Sequence, residues 1–371
     1  MRALLPILAA VLLLCSPTAQ AQPDPGGMTR TYYVAAEEAL WDYAPSGTEQ
    51  MMGRPFTPDD SVFVASGRDR IGSTYLKARY VEYTDSTFTT PKPVPPAWAH
   101  KGVLGPVIRA EVGDSIHVVF RNNARRPYSV HPHGVAYSKA HEGAMTADGT
   151  TGADRADDLV PPGGTYTYRW FVPERAGPGP ADPSSIVWLY HSHIDPTADI
   201  NTGLVGVLLV TRRGAADAEG RPADVDREFV TLFNVFDENR SWYLAENARR
   251  TIPDADLEAL TEDEVFVEGN LMHAMNGFVF GNLPLLQMTE GERVRWYLVG
   301  LGTEIDIHTP HWHGNTVLWN GHRTDVLPLM PAVMLTADMV PDSPGIWMYH
   351  CHVDDHLDAG MTGRYEVIPR R

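Results

Sequence analysis

A short stretch near the end of the chain, HCHVDDHLDAGM at 350–361, concentrates side chains that bind transition metals. Its candidate ligands are one cysteine, three histidines and one methionine: Cys351, His350, His352, His356 and Met361. The only other cysteine, Cys15, lies close to the amino terminus. Thiolate, imidazole and thioether groups suit copper, zinc and iron. The stretch therefore predicts a transition-metal site.

Four His-x-His pairs are a second chemical signal. They occupy positions 131/133, 191/193, 311/313 and 350/352. In a β-strand, residues i and i+2 point to the same face, so each pair offers two imidazoles side by side. One such pair is weak evidence, because paired surface histidines are common. Four pairs at corresponding places in a repeated sequence indicate metal binding.

The position of Cys351 between two histidines divides the stretch between two sites. On a strand, its sulfur points to the face opposite the two imidazoles, so one strand serves both sites. Cys351, His356 and Met361 can converge with His308 on a neighbouring strand. Two histidines, a thiolate and a weak thioether form a blue-copper electron-transfer site. The remaining eight histidines of this set suit a cluster of several metal ions.

The chain also repeats itself, with one copy on each side of the Ala/Gly-rich segment 213–227. VGDSIHVVF followed by SVHPHG parallels EGERVRWYL followed by HTPHWHG, and YHSHIDPTADINTGL parallels YHCHVDDHLDAGM. At the positions of His308, Cys351 and Met361 the first copy has other residues: Tyr128, Ser192 and Leu204. Both halves are therefore predicted to contribute to the cluster, whereas only the second holds the mononuclear site.

Segments of alternating polarity predict strands at 115–120, 165–170 and 293–298. The 30 prolines and 32 glycines favour a loop-rich, mainly β protein. Helical periodicity is weak except near 254–264. We predict an all-β protein of two β-sandwich or β-barrel domains, at 29–212 and 228–371, joined by a linker at 213–227.

The net charge of −17 disfavours nucleic acid and anionic membrane surfaces as partners. The first residues are typical of a secretory signal, with Arg2, an apolar run over 3–14 and an A-x-A site at 19–21. We expect residues 1–21 to be removed and the protein to be exported, to the periplasm or outside the cell, without a membrane span. Cys351 would then be the only cysteine, so no intramolecular disulfide is possible.

These motifs resemble the signature of the multicopper oxidases. HPHG, HSH, HTPHWHG and HCHVDDHLDAGM stand in family order, and LGPVIRAEVGDSI (104–116) and YLVGLGTEIDIHTPHWHG (297–314) are similar to the ceruloplasmin group. The resemblance covers nearly the whole chain after the signal and implies two cupredoxin-like Greek-key domains. The middle domains of ceruloplasmin are missing.

The resemblance implies a role for each ligand. The type 1 copper would be bound by His308, Cys351, His356 and Met361. The type 2 copper would be bound by His131 and His311. The two type 3 coppers would be bound by His133, His191, His193, His313, His350 and His352. Each subunit would thus hold about four copper ions. Electrons from a reducing substrate would pass through Cys351 to the cluster, where O2 becomes water. Two-domain relatives form rings of three subunits, so a homotrimer with clusters between subunits is implied.

Fe(II) is the favoured substrate, because Glu268, His273 and Asp355 match residues that handle iron beside the type 1 site of ceruloplasmin. Hard oxygen ligands favour Fe(III) and so ease removal of the electron. The alternative for His273 is a packing role. A laccase-like oxidation of phenols is the second candidate function.

A calcium site is implied by three acidic residues and one carbonyl group: Asp154, Asp157, Asp158 and the Lys139 carbonyl. Ligands that are all oxygen suit a hard cation. The alternative is a solvated acidic loop.

Tyr137 and Asp148 follow the HPHG motif, where two-domain laccases have a tyrosine near the cluster and an acid that handles protons. Because O2 reduction consumes protons, a buried acid is expected there. The alternative for Tyr137 is an ordinary core aromatic.

Two other classes fit the residues less well. Copper nitrite reductase has two similar domains and forms trimers, but its catalytic copper needs only three histidines. A copper carrier without enzymatic activity would need only the Cys351 site and would leave the His-x-His pairs unexplained.

Overall fold

The computed structural model of the protein describes residues 26–254 and 256–371, so the predicted signal at 1–21 lies outside the described residues. The strands are β1 Thr29–Asp42, β2 Thr74–Tyr83, β3 Ile108–Glu111, β4 Ser115–Asn122, β5 His131–Pro132, β6 Thr165–Phe171, β7 Ser185–His191, β8 Val205–Thr211, β9 Arg227–Asp237, β10 Leu271–Met275, β11 Leu286–Thr289, β12 Val294–Gly300, β13 Pro310–Trp312, β14 Val317–Trp319, β15 His322–Thr324, β16 Met334–Met339, β17 Gly345–Cys351 and β18 Thr362–Ile368.

Short helices connect these strands. The α-helices are α1 Ser61–Val64, α2 Pro196–Thr202, α3 Leu244–Thr251, α4 Leu257–Thr261, α5 Glu264–Gly269 and α6 Asp354–Asp358. Short 3-10 helices lie at Pro96–Lys101, Lys139–His141, Gly152–Arg155, Glu174–Ala176 and Glu238–Arg240. The expectation of a mainly β protein is confirmed, and the weak helical signal near 254–264 corresponds to α4 and the start of α5. In the described part of the chain, no helix is long and apolar enough to cross a membrane.

The strands form four sheets, which we number in stacking order. The first sheet has the order β2-β1-β4-β6, and the second has β3-β8-β7-β5. The third sheet is β10-β9-β12-β16-β14-β15, and the fourth is β11-β18-β17-β13. The first two sheets take their strands from 29–211 and the last two take theirs from 227–368, so each sequence repeat forms one sandwich.

The alternation of side chains shows how the sheets are stacked. In β7, Trp188 and Tyr190 contribute to the core between the first and second sheets, whereas Val187 and Leu189 face the other way. In β12, Tyr297 and Val299 belong to the same core as Val187 and Leu189, whereas Trp296 and Leu298 pack towards the fourth sheet. The second and third sheets therefore pack face to face, and the two sandwiches share a hydrophobic core.

A buried ion pair crosses this junction. Lys77 on β2 donates hydrogen bonds to Glu238, to Tyr43 Oη at 2.9 Å and to the Asn201 carbonyl at 2.7 Å. Both charged side chains are fully buried. Burial lowers the pKa of Lys77 and raises that of Glu238, so each charge depends on the other for its stability.

Removing one partner of this pair should destabilise the fold. We expect Glu238→Gln to lower the free energy of unfolding by about 3–5 kcal/mol, because it leaves the Lys77 ammonium buried without a counter-charge. The double variant Lys77→Met/Glu238→Leu should recover most of that loss. Guanidinium denaturation of the three proteins checks this, and equal midpoints for the single variant and the parent chain would contradict it.

Candidate metal centres

The end of β17, the loop before β13 and helix α6 bring three candidate ligands together. Cys351 Sγ lies 3.6 Å from His356 Nδ1 and 3.9 Å from His308 Nδ1, and the two Nδ1 atoms are 3.1 Å apart. All three residues are buried. Two imidazoles with facing Nδ1 atoms and one thiol are the donor set that copper accepts in a blue-copper site.

Hydrogen bonds prepare the thiol for metal binding. Burial acts to raise the pKa of Cys351, but hydrogen bonds from His308, His356 and backbone N–H groups outweigh it and lower the pKa to about 6. One of these donors is the Thr309 N–H, 3.4 Å from Sγ. A thiol of this kind is readily available as thiolate, the form that binds metals.

Met361, the fourth predicted ligand, is fully buried beside these three residues. The Cys351 N–H donates to the Met361 carbonyl at 3.1 Å, and the Met361 N–H donates to the His356 carbonyl at 2.8 Å. The backbone thus fixes Met361 relative to both ligands.

Asp306 is a residue that sequence reasoning missed. Its Oδ1 lies 3.5 Å from Nε2 of His308, a buried atom that has no hydrogen-bonding partner in the described part of the chain. The carboxylate is itself held by the Val235 N–H at 2.9 Å and the Thr303 N–H at 2.7 Å. Burial acts to lower the pKa of His308, yet Asp306 and Cys351 raise it overall. The spacing Asp306-x-His308 was the available signal, because it places both side chains on one face of an extended segment.

The first histidine group consists of His131, His133, His191 and His193. The pairing of β5 with β7 sets His131 opposite His191, and His133 Nε2 lies 3.1 Å from His191 Nε2. The chain turns directly after the first pair at Gly134, which has a φ of +78°. A Cβ atom there would clash with the Trp188 ring at 2.3 Å, so only glycine fits.

The second histidine group repeats this arrangement with His311, His313, His350 and His352. The pairing of β13 with β17 sets His311 opposite His350. His350 Nε2 lies 3.2 Å from His311 Nδ1 and 3.1 Å from His313 Nε2. Gly314 turns the chain at a φ of +72° against the Trp347 ring, as Gly134 does against Trp188.

Burial keeps histidines of both groups neutral at ordinary pH. It lowers the pKa of His133 to about 4, of His191 to about 3 and of His350 to about 4. Neighbouring imidazoles lower these pKa values further. Neutral imidazoles have a free lone pair, so both groups present nitrogen donors that suit a transition metal.

The structure does not bring the two histidine groups together. His191 shares a strand face with Val187 and Leu189, which point towards the third sheet. His350 shares a face with exposed Ile346 and lies opposite Cys351, which points into the core between the third and fourth sheets. Within 26–254 and 256–371, no hydrogen bond or ring contact joins the two groups. The third sheet intervenes, and packed sheets are about 10 Å apart.

In the first sandwich, side chains joined by hydrogen bonds occupy the position that corresponds to the mononuclear site of the second. The Ser192 N–H donates to the Leu204 carbonyl at 3.1 Å, as the Cys351 N–H does to Met361. Ser192 Oγ donates to Asp199 Oδ2 at 2.7 Å, and Asp199 occupies the position of His356. Tyr128 Oη lies 3.3 Å from Tyr243 Oη. A hydroxyl and carboxylate network therefore takes the place of the predicted metal ligands.

Of the proposed iron residues, His273 is placed beside the mononuclear site. Its ring centroid lies 5.3 Å from that of His356. Its Nδ1–H donates to the Leu271 carbonyl at 3.0 Å, which leaves Nε2 as the free donor atom. Burial, helped by His356, lowers its pKa to about 4. Glu268 on α5 and Asp355 on α6 are exposed, and neither forms a hydrogen bond with His273 in the described residues.

The predicted calcium residues lie on two touching 3-10 turns, Lys139–His141 and Gly152–Arg155, and just after the second. Asp157 is fully buried, and its Oδ1 has no hydrogen-bonding partner among the described residues. Burial raises its pKa. Asp158 is buried and pairs with Arg155 at 3.1 Å, whereas Asp154 is exposed. An unpartnered buried carboxylate oxygen fits a cation ligand.

Tyr137 and Asp148 are placed differently from each other. The Tyr137 ring centroid lies 5.9 Å from that of His131, at the edge of the first histidine group. Asp148 lies in an exposed loop, where it accepts hydrogen bonds from Thr150 and pairs with Lys139 at 3.0 Å. These contacts lower its pKa. The structure therefore places Asp148 as an ionised surface carboxylate and not as the buried acid that we expected.

Comparisons with known proteins show the family of this chain. Two family models, both described as Multicopper oxidase, match residues 81–215 and 255–371. The chain belongs to the multicopper oxidase family. This multicopper oxidase is 50% identical over 347 residues to Ferroxidase HEPHL1 of Homo sapiens, 47% over 345 residues to human Hephaestin and 41% over 363 residues to human Ceruloplasmin.

The relatives are much longer than this chain. The three alignments cover 92%, 92% and 97% of the chain but only 29%, 29% and 33% of the relatives. The chain spans a correspondingly small part of the length of the curated relatives that it matches.

Solved structures confirm the cupredoxin-like fold. A multicopper oxidase crystal structure aligns with a TM-score of 0.57 at 20% identity, covering 91% of this multicopper oxidase and 89% of that chain. Copper nitrite reductase from Nitrosomonas europaea aligns with a TM-score of 0.57 at 18% identity, covering 91% and 94%. At these identities the likeness shows the fold alone.

Asp306 should act as the positioning residue for His308. We expect Asp306→Ala to weaken copper binding at the mononuclear site by about 10–100-fold, the usual effect of losing a carboxylate behind a histidine ligand. Titration with copper, followed by the copper–thiolate absorption, checks this. The control is Asp342→Ala, an exposed aspartate of the same sandwich. Copper affinities that are equal for the two variants would contradict this role.

Proposed function

We propose that the chain is an O2-dependent copper oxidase that holds a mononuclear type 1 site and half of each of two trinuclear clusters. The observation that supports it most strongly is the convergence of Cys351, His308 and His356 on one point, with Met361 beside them. In this proposal the eight histidines of the two groups bind the type 2 and type 3 coppers as the family pattern implies. The donor atoms of both groups fit copper.

Copper at these sites would supply one-electron acceptance at the mononuclear site and four-electron reduction of O2 at the cluster. The protein's part is to hold the ligands and to connect the sites. Cys351 would hold the type 1 copper on the core side of β17, and the adjacent histidines 350 and 352 would hold cluster copper on the outer side. One peptide unit on each side joins Cys351 to a histidine of the second group, which would give the electron a short covalent path.

The assembly we propose is a homotrimer whose clusters lie between subunits. Support comes from the separation of the two histidine groups by the third sheet. The second group is also open: His352 is exposed, and Ile346, on the same strand face as His350, has 61% of its surface exposed. A heterologous contact between the second group of one chain and the first group of the next would repeat around a closed ring.

Fe(II) is the reducing substrate we favour. The relatives include proteins named Ferroxidase HEPHL1, Hephaestin and Ceruloplasmin, at 41–50% identity. His273 lies against His356, and its Nδ1 donates to the Leu271 carbonyl. The exposed carboxylate of Glu268 lies on the helix that precedes His273 in the chain, and that of Asp355 directly precedes His356. The net charge of −17 attracts cations to the surface.

A laccase-like oxidation of phenols is the second candidate. Ile305 and Ile307, on either side of Asp306 and next to His308, are 68% and 44% exposed. Exposed apolar side chains at the mononuclear site would suit an aromatic substrate.

Two further parts of the proposal concern calcium and location. The unpartnered Asp157 carboxylate oxygen supports a calcium ion held with Asp158, Asp154 and the Lys139 carbonyl. The signal-like first residues support export to the periplasm or beyond the cell.

Replacing the thiolate tests the oxidase function. We expect Cys351→Ser to lose one copper per chain and nearly all O2 consumption, while the other coppers stay bound, because the histidine groups do not depend on the sulfur. Metal analysis and an oxygen electrode measure the two effects on the same sample. O2 consumption at the parent rate would rule out the proposed electron path.

Replacing the two exposed carboxylates tests the choice of substrate. The double variant Glu268→Ala/Asp355→Ala should slow Fe(II) oxidation at least about tenfold, because it removes the local negative charge that concentrates the cation. Oxidation of a bulky organic dye should change little. The matched control is Glu264→Ala/Asp358→Ala, which removes two exposed acids from the same two helices.

Stopped-flow rates for Fe(II) and dye, measured on both double variants, separate the possibilities. Equal losses for iron and dye, or equal losses of the Fe(II) rate in the two double variants, would argue against an iron site formed by Glu268 and Asp355.

A further inference from the structure

A cavity of about 440 Å³ lies in the first sandwich, away from all the candidate metal ligands. It is bounded by β2, by the segment before β3 and by the proline-rich stretch 93–95. Much of its wall is apolar or aromatic, with contributions from Tyr32, Trp98, Val107 and Pro106. The volume is sufficient for a small organic molecule.

Two cations on this wall have no acidic partner at ion-pair distance among the described residues. Arg79 stacks on Trp41, with its guanidinium carbon 4.9 Å from the ring centroid, and its Nε is buried without an acceptor. Lys101 Nζ donates only to backbone carbonyls, those of Leu104 at 2.6 Å and Gly105 at 3.3 Å.

The other charged side chains on the wall are already paired. Lys92 binds Glu82 at 2.8 Å, Arg109 binds Glu228 at 2.8 Å, and Glu219 binds Arg221 at 3.4 Å. Glu82 also stabilises the charge of Lys101 at longer range. The lining therefore has an excess of positive charge in a protein whose net charge is −17.

This excess of positive charge is costly. Burial and the nearby charge of Arg79 lower the pKa of Lys101 to about 8. A buried guanidinium nitrogen without an acceptor also loses the hydrogen bond that it would have in water. An anion beside Arg79 and Lys101 would offset the repulsion between these two cations, and its body would lie against the aromatic wall.

We propose that this cavity is a binding site for a small organic anion, a carboxylate attached to an apolar body. Arg79 and Lys101 bind the carboxylate, and Trp98 and Tyr32 pack against the body. The site is separate from the copper ligands, so it does not depend on the oxidase function proposed above.

Calorimetric titration of the copper-loaded full chain with benzoate tests the proposal. We expect saturable binding of one benzoate per chain. Benzamide, which has the same body without the charge, and inorganic phosphate, which has charge without the body, should each bind at least about tenfold more weakly. No saturable benzoate binding, or benzamide binding as tight as benzoate binding, would overturn the proposal.

Two variants locate the site. Arg79→Gln and Lys101→Gln should each weaken benzoate binding about tenfold or more, because each removes one charge-assisted hydrogen bond. The matched control is Arg169→Gln, which removes an exposed arginine from β6 of the same sandwich and should bind benzoate as the parent chain does.

Thermal unfolding of each variant shows that it is folded before the titration, and Lys101→Gln provides a second test if Arg79→Gln does not fold. Losses of benzoate affinity that are equal in Arg169→Gln and in the two cavity variants would overturn the assignment to this cavity.

Discussion

The alternation of side chains along β17 is the constraint on which the rest of the site depends. Because successive residues of a strand point to opposite faces, Cys351 enters the core while the histidines beside it face outwards. In the proposed oxidase, one strand would therefore supply ligands to two different sites and join them through its own backbone. A shift of the β13–β17 register by one residue would exchange the two faces and destroy both sites.

The stacking of the sheets keeps the two histidine groups of one chain apart. The first histidine group lies on the second sheet, and the second group lies on the outer face of the fourth. The shared core between the second and third sheets, together with the buried Lys77–Glu238 pair, fixes the two sandwiches so that these groups are apart. The stability of that junction and the separation of the two histidine groups are therefore two consequences of one packing arrangement.

The sequence was sufficient to predict features that depend on residues close together in the chain. Spacing alone predicted Cys351, His356 and Met361 as metal ligands, and the alternation of polar and apolar residues predicted β4, β6 and β12. The sequence repeat also located the substitution of Ser192 for Cys351. Interactions between distant segments were not predictable in this way. The ion pair of Lys77 with Glu238, the placement of Asp306 behind His308 and the convergence of Arg79 with Lys101 all depend on how the sheets stack. The exposure of Asp148 was not predictable either, since its position after HPHG did not reveal that its loop is exposed.

The central claim is that each cluster is built from two chains, and subunit complementation tests it most directly. One variant has His131→Ala/His133→Ala, and the other has His311→Ala/His313→Ala, so each chain lacks one half-site. Each variant alone should fail to reduce O2, whereas co-assembled chains should regain activity from about one intact cluster in each mixed ring. Mixed oligomers that contain both variants and still reduce no O2 would contradict the account.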